Sequence, residues 1–431
     1  MSDLTRLRSS VPIGAFVLWL TLTLVALFAQ DQVEKKRVKA AVNKAPAAVQ
    51  TDIADENTAD TMADLDKEIA GSDGVQSAQT QMTQQGQQIV TVDRSSMPNI
   101  LAAIDMVADK DVKASKTGDE TSNSMFIRSA EFGFFGAIDW FANGMILFAM
   151  HREGGNYVFA LHEASFEFPS LPWNFHLKIG RMFPDAGRLN TIHQHDRVFT
   201  GIPRVHGQLF DTVIGEGFLD TGGELSWLAP LPFFSEFKAG VFNGRTFGHT
   251  HNDGVAKAAP LLLGRQKNFF PIAQGFGLQW GTSYLRYNVT RDAGDVDHKF
   301  GTDLMLKWQR GRWASFEISG EFWYHKEERV LTRVEDKTGF YIYLQWQPFE
   351  RWKFGYRRDF FSRLNLVNVV TGTKYNGVDH GDALWVTYST SEFFNVKLTG
   401  ERHQYDLVLG EAYVMYAQAV YVLGFHPAHR F

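Results

Sequence analysis

The last stretch of the chain, Glu411 to Phe431, reads EAYVMYAQAVYVLGFHPAHRF. Taken in twos, Tyr413, Met415, Ala417, Ala419, Tyr421, Leu423 and Phe425 are all apolar. The interleaved set is mixed, with Gln418 inside it and His426 at its end. Residues two apart share one face of a strand, so one face is apolar throughout and the other carries polar groups. The apolar face exceeds the roughly 9–11 tilted residues that cross a bilayer core. The chain then stops on aromatic Phe431.

Working outward, the same alternation recurs. Phe316, Ile318, Gly320, Phe322 and Tyr324 oppose Ser315, Glu317, Ser319 and Glu321. Phe340, Ile342, Leu344 and Trp346 oppose Tyr341, Tyr343, Gln345 and Gln347. Val396 and Leu398 oppose Asn395, Lys397, Thr399 and Glu401. A soluble sandwich also alternates, so three further features decide. The strands are long. Trp140, Trp173, Trp313, Trp346 and Trp352 mark strand ends, as interfacial girdles do. And connections mostly alternate short and long. Short turns are expected at Asp139–Asn143, Pro169–Pro172, Pro230–Pro232, Pro271–Ala273, Arg310–Arg312, Pro348–Glu350 and Ser391–Phe393, while Arg152–Gly155 is a short connection where a long one is due. The tally is sixteen strands from Asn99 onward, an all-β, antiparallel up-and-down transmembrane barrel. At that size a barrel encloses an aqueous channel.

Composition agrees. Aromatic residues make up 14% of the chain. Mean hydropathy is nonetheless slightly polar, as expected of strands greasy on one face only. With no cysteine, disulfides, thiol nucleophiles, iron–sulfur clusters and a lipid-modified N-terminal Cys are excluded. A net charge of −5 gives no electrostatic footing for nucleic acid.

The N-terminus reads as a signal peptide over residues 1–29: Arg6 and Arg8, then apolar Val11 to Phe28, then Ala29 before Gln30 and Asp31. An uncleaved anchor is the competing reading, because the apolar run is long. Residues 30–96 lack aromatics and are rich in Ala, Gln, Asp, Thr and Lys, which predicts a low-complexity periplasmic tail, partly helical and largely disordered.

The longest connection, Pro184 to Thr221, is the third outer loop. It is dense in polar groups: Asp185, Arg188, His193, His195, Asp196, Arg197, Arg204, His206, Asp211, Glu216 and Asp220. Phe199, Ile202, Phe210 and Phe218 are suited to pin it to a wall. The wall residues expected to face the lumen carry both signs: Lys178, Lys238, Lys307, Lys353, Arg357 and Lys397 against Glu163, Glu167, Glu236, Asp303, Glu317, Glu321 and Glu401. That balance predicts weak ion preference. The alternative is metal. His193-Gln-His195 and His249-Thr-His251 are HxH pairs whose alternate residues point the same way, suited to Zn²⁺ or Cu²⁺, with Asp196 and Asp253 as oxygen donors. No GxSxG, HExxH, Walker or dinucleotide motif stands in convincing context, so no enzyme is expected and no cofactor beyond such a metal. His206 with Asp211, and Ser391 with His403, are the pairs a rim hydrolase would need.

The terminal strand ending on Phe431 resembles the closing strand of bacterial outer-membrane β-barrels, which typically end on Phe after alternating apolar residues; Pro427 and His429 depart from that series. Met97-Pro-Asn-Ile-Leu resembles the start of a porin's first strand, and Phe166-Glu-Phe-Pro-Ser-Leu-Pro-Trp followed by Leu177-Lys-Ile-Gly-Arg-Met-Phe resembles its paired strands. The resemblance to sixteen-stranded porins covers about three quarters of the chain. It implies residence in the outer membrane of a Gram-negative bacterium, contact with its lipid, and passage through the barrel-assembly machinery with Phe431 as the closing signal. It also implies passive diffusion of small solutes, a third loop that narrows the lumen, and a homotrimer. A surface-adhesion barrel without an open channel is the other reading.

Overall fold

The computed structural model describes residues 81–82, 88–89, 98–113, 123–153, 155–210, 216–245, 247–248, 254–329, 335–367, 374–405 and 410–424. The expected signal peptide, most of the expected tail, His249, His251, Asp253, Asp211, His426, Pro427, His429 and Phe431 lie outside them. Ahead of the barrel, Gln81–Met82 and Gln88–Ile89 pair as a minimal antiparallel ladder.

Sixteen antiparallel strands close into one barrel. In chain order they are β1 Asn99–Lys113, β2 Met125–Asp139, β3 Ala142–Glu153, β4 Asn156–Leu171, β5 Phe175–Met182, β6 Asp220–Leu228, β7 Phe234–Phe242 and β8 Leu261–Ala273. The second half is β9 Phe276–Asn288, β10 Val296–Arg310, β11 Ala314–Glu328, β12 Asp336–Phe349, β13 Trp352–Val367, β14 Lys374–Ser389, β15 Phe394–Tyr405 and β16 Gly410–Gly424. Neighbours in sequence pair throughout, and β16 pairs β1 from Tyr413↔Lys113 to Gly424↔Leu101, so no edge is left. In lipid that closure supplies every strand's backbone partners.

The terminal strand carries its expected parity. Val414, Gln418, Val420 and Val422 are buried inside, while Ala417, Tyr421 and Leu423 are exposed outside. All thirteen charged wall residues expected to face the lumen fall on the inward parity of their strands. The outer surface carries exposed Phe132, Phe237, Phe300, Phe322, Ile342 and Leu398 on strands right around the barrel, an apolar belt that only lipid satisfies. Trp140 and Trp173, each 83% exposed, sit with Trp313, Trp346 and Trp352 at the short-turn end, so these five mark one girdle.

Several boundaries move. The expected turns at Pro169–Pro172, Pro271–Ala273 and Pro348–Glu350 are strand as far as Leu171, Ala273 and Phe349. Proline has no N–H to give a ladder, and all three prolines sit in register shifts: Phe168/Leu171, Pro271/Ala273 and Trp346/Phe349. The actual turns follow, one through Gly275 in the left-handed region at φ 71°. Strand β14 begins eight residues before the expected Asp382, at Lys374. Such extensions leave several outer connections modest, at 289–295, 329–335 and 406–409; the connection expected at Arg152–Gly155 tightens to 154–155.

Candidate functional site

Residues 183–219, between β5 and β6, form the third outer connection. Among its described residues it holds two short 3₁₀ turns, Leu189–Thr191 and Gln194–Asp196, and one helix, α1 Arg204–Leu209. Phe199, Phe210 and Phe218 are 1%, 1% and 0% exposed, values of a protein core rather than a surface loop. Phe199 meets the rings of Tyr341, Tyr343 and Trp385, with the Arg357 guanidinium 4.5 Å from its centroid. Phe210 stacks on Phe218 and His206 and meets Trp323 edge-on. Ile202 stays partly exposed.

A buried connection must satisfy its own backbone groups. Here the wall does it. The Arg188 and Leu189 N–H groups donate to Glu321 at 3.0 and 2.6 Å, the Asp185 N–H to Glu224 at 2.7 Å, and the Gly187 N–H to Ser283 Oγ at 3.0 Å. The carbonyls of Arg197, Thr200, Gly201 and Leu209 accept from Lys397 (2.6 Å), Arg128 (2.7 Å), Arg357 (2.6 Å) and Lys299 (2.7 Å). Three of these N–H groups go to carboxylates and one to a hydroxyl, and all four carbonyls go to cations, which employs wall charges of both signs.

The expected site residues of this loop that lie among the described residues have places in this arrangement. Asp185 bonds Lys238 at 2.7 Å and Arg265 at 3.0 Å on the β7–β8 side. Burial opposes charge there, yet Lys238, Arg265 and Lys267 hold the Asp185 carboxyl well below the usual carboxylate range. Arg188 reaches Gln279 and Glu317. Arg204 pairs with Asp379 at 3.1 Å and lies over the Tyr405 ring; His206 lies 3.3 Å from Glu321. Arg197 donates to the Ile192 and Glu216 carbonyls within the loop.

The histidines gather on the β2–β4 wall. His193 lies 3.1 Å from Glu163 and 3.4 Å from Glu131; His195 lies 3.1 Å from Glu131 and 3.3 Å from Asp196. Burial works against charging both rings, but Glu131 leads the carboxylates that raise His193 to about 10 and His195 to about 9. Both are imidazolium at neutral pH in this arrangement. His151, His162 and Glu216 sit beside them.

Other sequence suggestions separate. Ser391 lies in the turn before β15 and His403 near that strand's far end, so they do not meet. Glu131, Arg128, Asp105, Arg265 and Lys299 carry much of the loop's anchoring and were not singled out from sequence. The parity of β1, β2, β8 and β10 marks Asp105, Glu131, Arg265 and Lys299 as inward, whereas Arg128 is the extra residue of a register shift opposite Asp105 and Met106.

No known protein-family profile matches the chain. An uncharacterised protein of Aquifex aeolicus (strain VF5) is 26% identical over 303 residues, 61% of this chain and 61% of that protein. Solved structures align across the barrel. The outer-membrane channel DcaP of Acinetobacter baumannii superposes with a TM-score of 0.52 at 7% identity, over 76% of this chain and 97% of that one. OprB of Pseudomonas putida gives 0.51 at 9%, over 75% and 94%. An anion-selective porin of Comamonas acidovorans gives 0.51 at 7%, over 76% and 99%. At such identities the likeness carries architecture alone, and with the apolar belt and closed ring it yields one conclusion: this chain is a transmembrane β-barrel with the sixteen-stranded fold of outer-membrane porins.

Proposed function

We propose that the chain is a diffusion channel of the outer membrane whose third loop forms the narrowest level of the lumen. The observation that carries this reading is the ring of contacts just described, in which one loop is hydrogen-bonded to inward side chains of strands on every side of the barrel. Below it, toward the short turns, Lys178, Lys307, Lys353, Glu167 and Glu317 remain partly exposed on the inner wall, which suits a polar vestibule. A pore selects by its narrowest diameter and the charges lining it. Both signs line this one, and those at loop level are paired with loop backbone groups or with one another, so small polar solutes pass with weak ion preference. The porin likeness extends the reading to a homotrimer; a purified protein that stays monomeric after mild extraction and cross-linking removes that part.

Planar-bilayer recording tests the pore. The folded protein gives small, steady conductance steps. A variant in which residues 190–217 are replaced by a short Gly/Ser link gives steps several-fold larger. Heat-modifiable gel migration shows that both are folded. Folded protein without steps in either form refutes the channel. Equal conductance in the two forms refutes the constriction.

A further inference from the structure

Strand β4 carries an irregularity that nothing in the pore reading uses. Leu147 of β3 pairs Glu163, but the next residue, Phe148, pairs Leu161. His162 is therefore the extra residue of a β-bulge. The bulge turns two consecutive side chains, His162 at 0% and Glu163 at 4% exposure, to the same inner face. Bulges re-aim side chains in this way next to functional sites. His151 of β3 is buried on the same face, and the returning arm of the third loop brings buried Glu216 down onto both.

The three groups converge at one point. His162 Nε2 lies 3.0 Å from Glu216 Oε2, and His151 Nε2 lies 3.6 Å from the same oxygen. One ligand atom from each residue falls within 4.8 Å of the others. Zinc bonds of about 2.0–2.1 Å in a tetrahedron set neighbouring ligand atoms roughly 3.3 Å apart, between the two observed spacings. Two imidazoles and a carboxylate are also the donor set of three-ligand zinc sites, which leave the fourth position open. The Phe183 ring meets His162 edge-on with centroids 5.1 Å apart and covers one side. The three side chains are fully shielded from solvent, where a dication would be held without competition from bulk water.

We infer that His151, His162 and Glu216 form a buried site for one divalent transition-metal ion, with Zn²⁺ the best fit. This is not the HxH site expected from sequence. His193 and His195 are held by Glu131, Glu163 and Asp196, and only His162 is shared, since Glu131 and His193 also come within reach of it. Zinc here ties the loop's return arm to the β3–β4 wall.

Because the site is shielded, the full chain is refolded into detergent from denaturant with ZnCl₂ or with EDTA, then freed of loose metal by gel filtration. Metal per chain is measured by elemental analysis, and affinity by competition with a chromogenic chelator. One Zn²⁺ per chain is expected. Since His162 belongs to both groupings, His151→Gln and Glu216→Gln are the discriminating variants. Each weakens zinc by more than about a hundredfold, beyond the loss seen for outer-sphere partners. The double variant His193→Gln/His195→Gln retains it. Folding of every variant is read from heat-modifiable migration. Wild-type protein that keeps no zinc overturns the inference and leaves the trio a hydrogen-bonded loop anchor. Zinc lost from the His193/His195 variant but kept by His151→Gln and Glu216→Gln overturns it in favour of the HxH pair. Conductance of the zinc-free protein tests the pore reading separately.

Discussion

Replacing Glu321 with alanine should release the third loop. One carboxylate accepts the Arg188 N–H (3.0 Å), the Leu189 N–H (2.6 Å), the Trp323 indole N–H (2.8 Å) and the Tyr341 hydroxyl (2.8 Å). His206 Nε2 lies 3.3 Å away on the same group. Glu321→Ala leaves four buried donors without their acceptor. A buried donor left unmade costs about 1–3 kcal/mol. Water entering the gap relieves part of that, so the low end applies, about 4 kcal/mol in total against the docked loop. At about 1.4 kcal/mol per tenfold, the docked-to-released ratio falls by roughly a thousandfold. Glu321→Gln keeps one carbonyl oxygen and should lose about half as much. The assay is trypsin cleavage at Arg188, Arg197 and Arg204 in proteoliposomes, read beside single-channel recordings. The expected order of cleavage rate is wild type, then Glu321→Gln, then Glu321→Ala, with noisier and larger conductance in the same order. A Glu321→Ala barrel that migrates as folded, resists trypsin like wild type and conducts alike would falsify the claim that wall carboxylates hold the loop.

Further outcomes are expected. Gly187→Ala should disturb the loop for two independent reasons: its φ of +70° strains any side chain, and an added Cβ runs into the Glu321 carboxylate and the Trp323 ring. Proteolysis should therefore accelerate by about tenfold or more, as for a loss above about 1.4 kcal/mol, and wild-type rates would count against it. Asp185 sets an acid limit. Its folded pKa lies below the ordinary value, so its contribution is complete above about pH 4. That contribution disappears only as pH falls through the lower folded value. Asp185→Asn should therefore lower the protease resistance of the loop at pH 7, and that difference from wild type should disappear only in strong acid; equal resistance of the two proteins at pH 7 would refute this assignment. Deleting Phe431 should lower the amount of barrel recovered in outer-membrane fractions, and normal recovery would count against the closing-strand assignment.

The strand number was legible because alternation and turn chemistry are local. The odd-numbered set from Tyr413 to Leu423 meets the outside for the reason its pattern gives: a single-residue slip would send it all inward. The third loop was legible from its length and its aromatics. What holds it was not. Lys397 finds the Arg197 carbonyl 200 residues away, and Arg357 finds Gly201 across 156. No periodicity encodes pairings of that separation. The wall charges were legible as a balanced inward set, but not that several of them at loop level serve as acceptors and donors for the loop backbone. His162 passed unnoticed because the bulge that aims it inward is invisible to a reading by twos, and His151, inward by plain alternation, lacked a visible partner without it. Pro169, Pro271 and Pro348 misled in the opposite sense. Each ended a strand on paper, while register shifts let the strands continue through them.

Thr200 has one further consequence. Its hydroxyl meets Thr399 of β15 and Gln418 of β16, and its carbonyl accepts from Arg128 of β2. A single loop residue thus spans the seam where the first and last strands meet. If β16 closed on β1 one residue out of step, Gln418 would turn to lipid and Thr200 would lose that partner. Seating the loop thus adds its own bonds to the in-step closure and to no other, so the seam and the loop favour the same register.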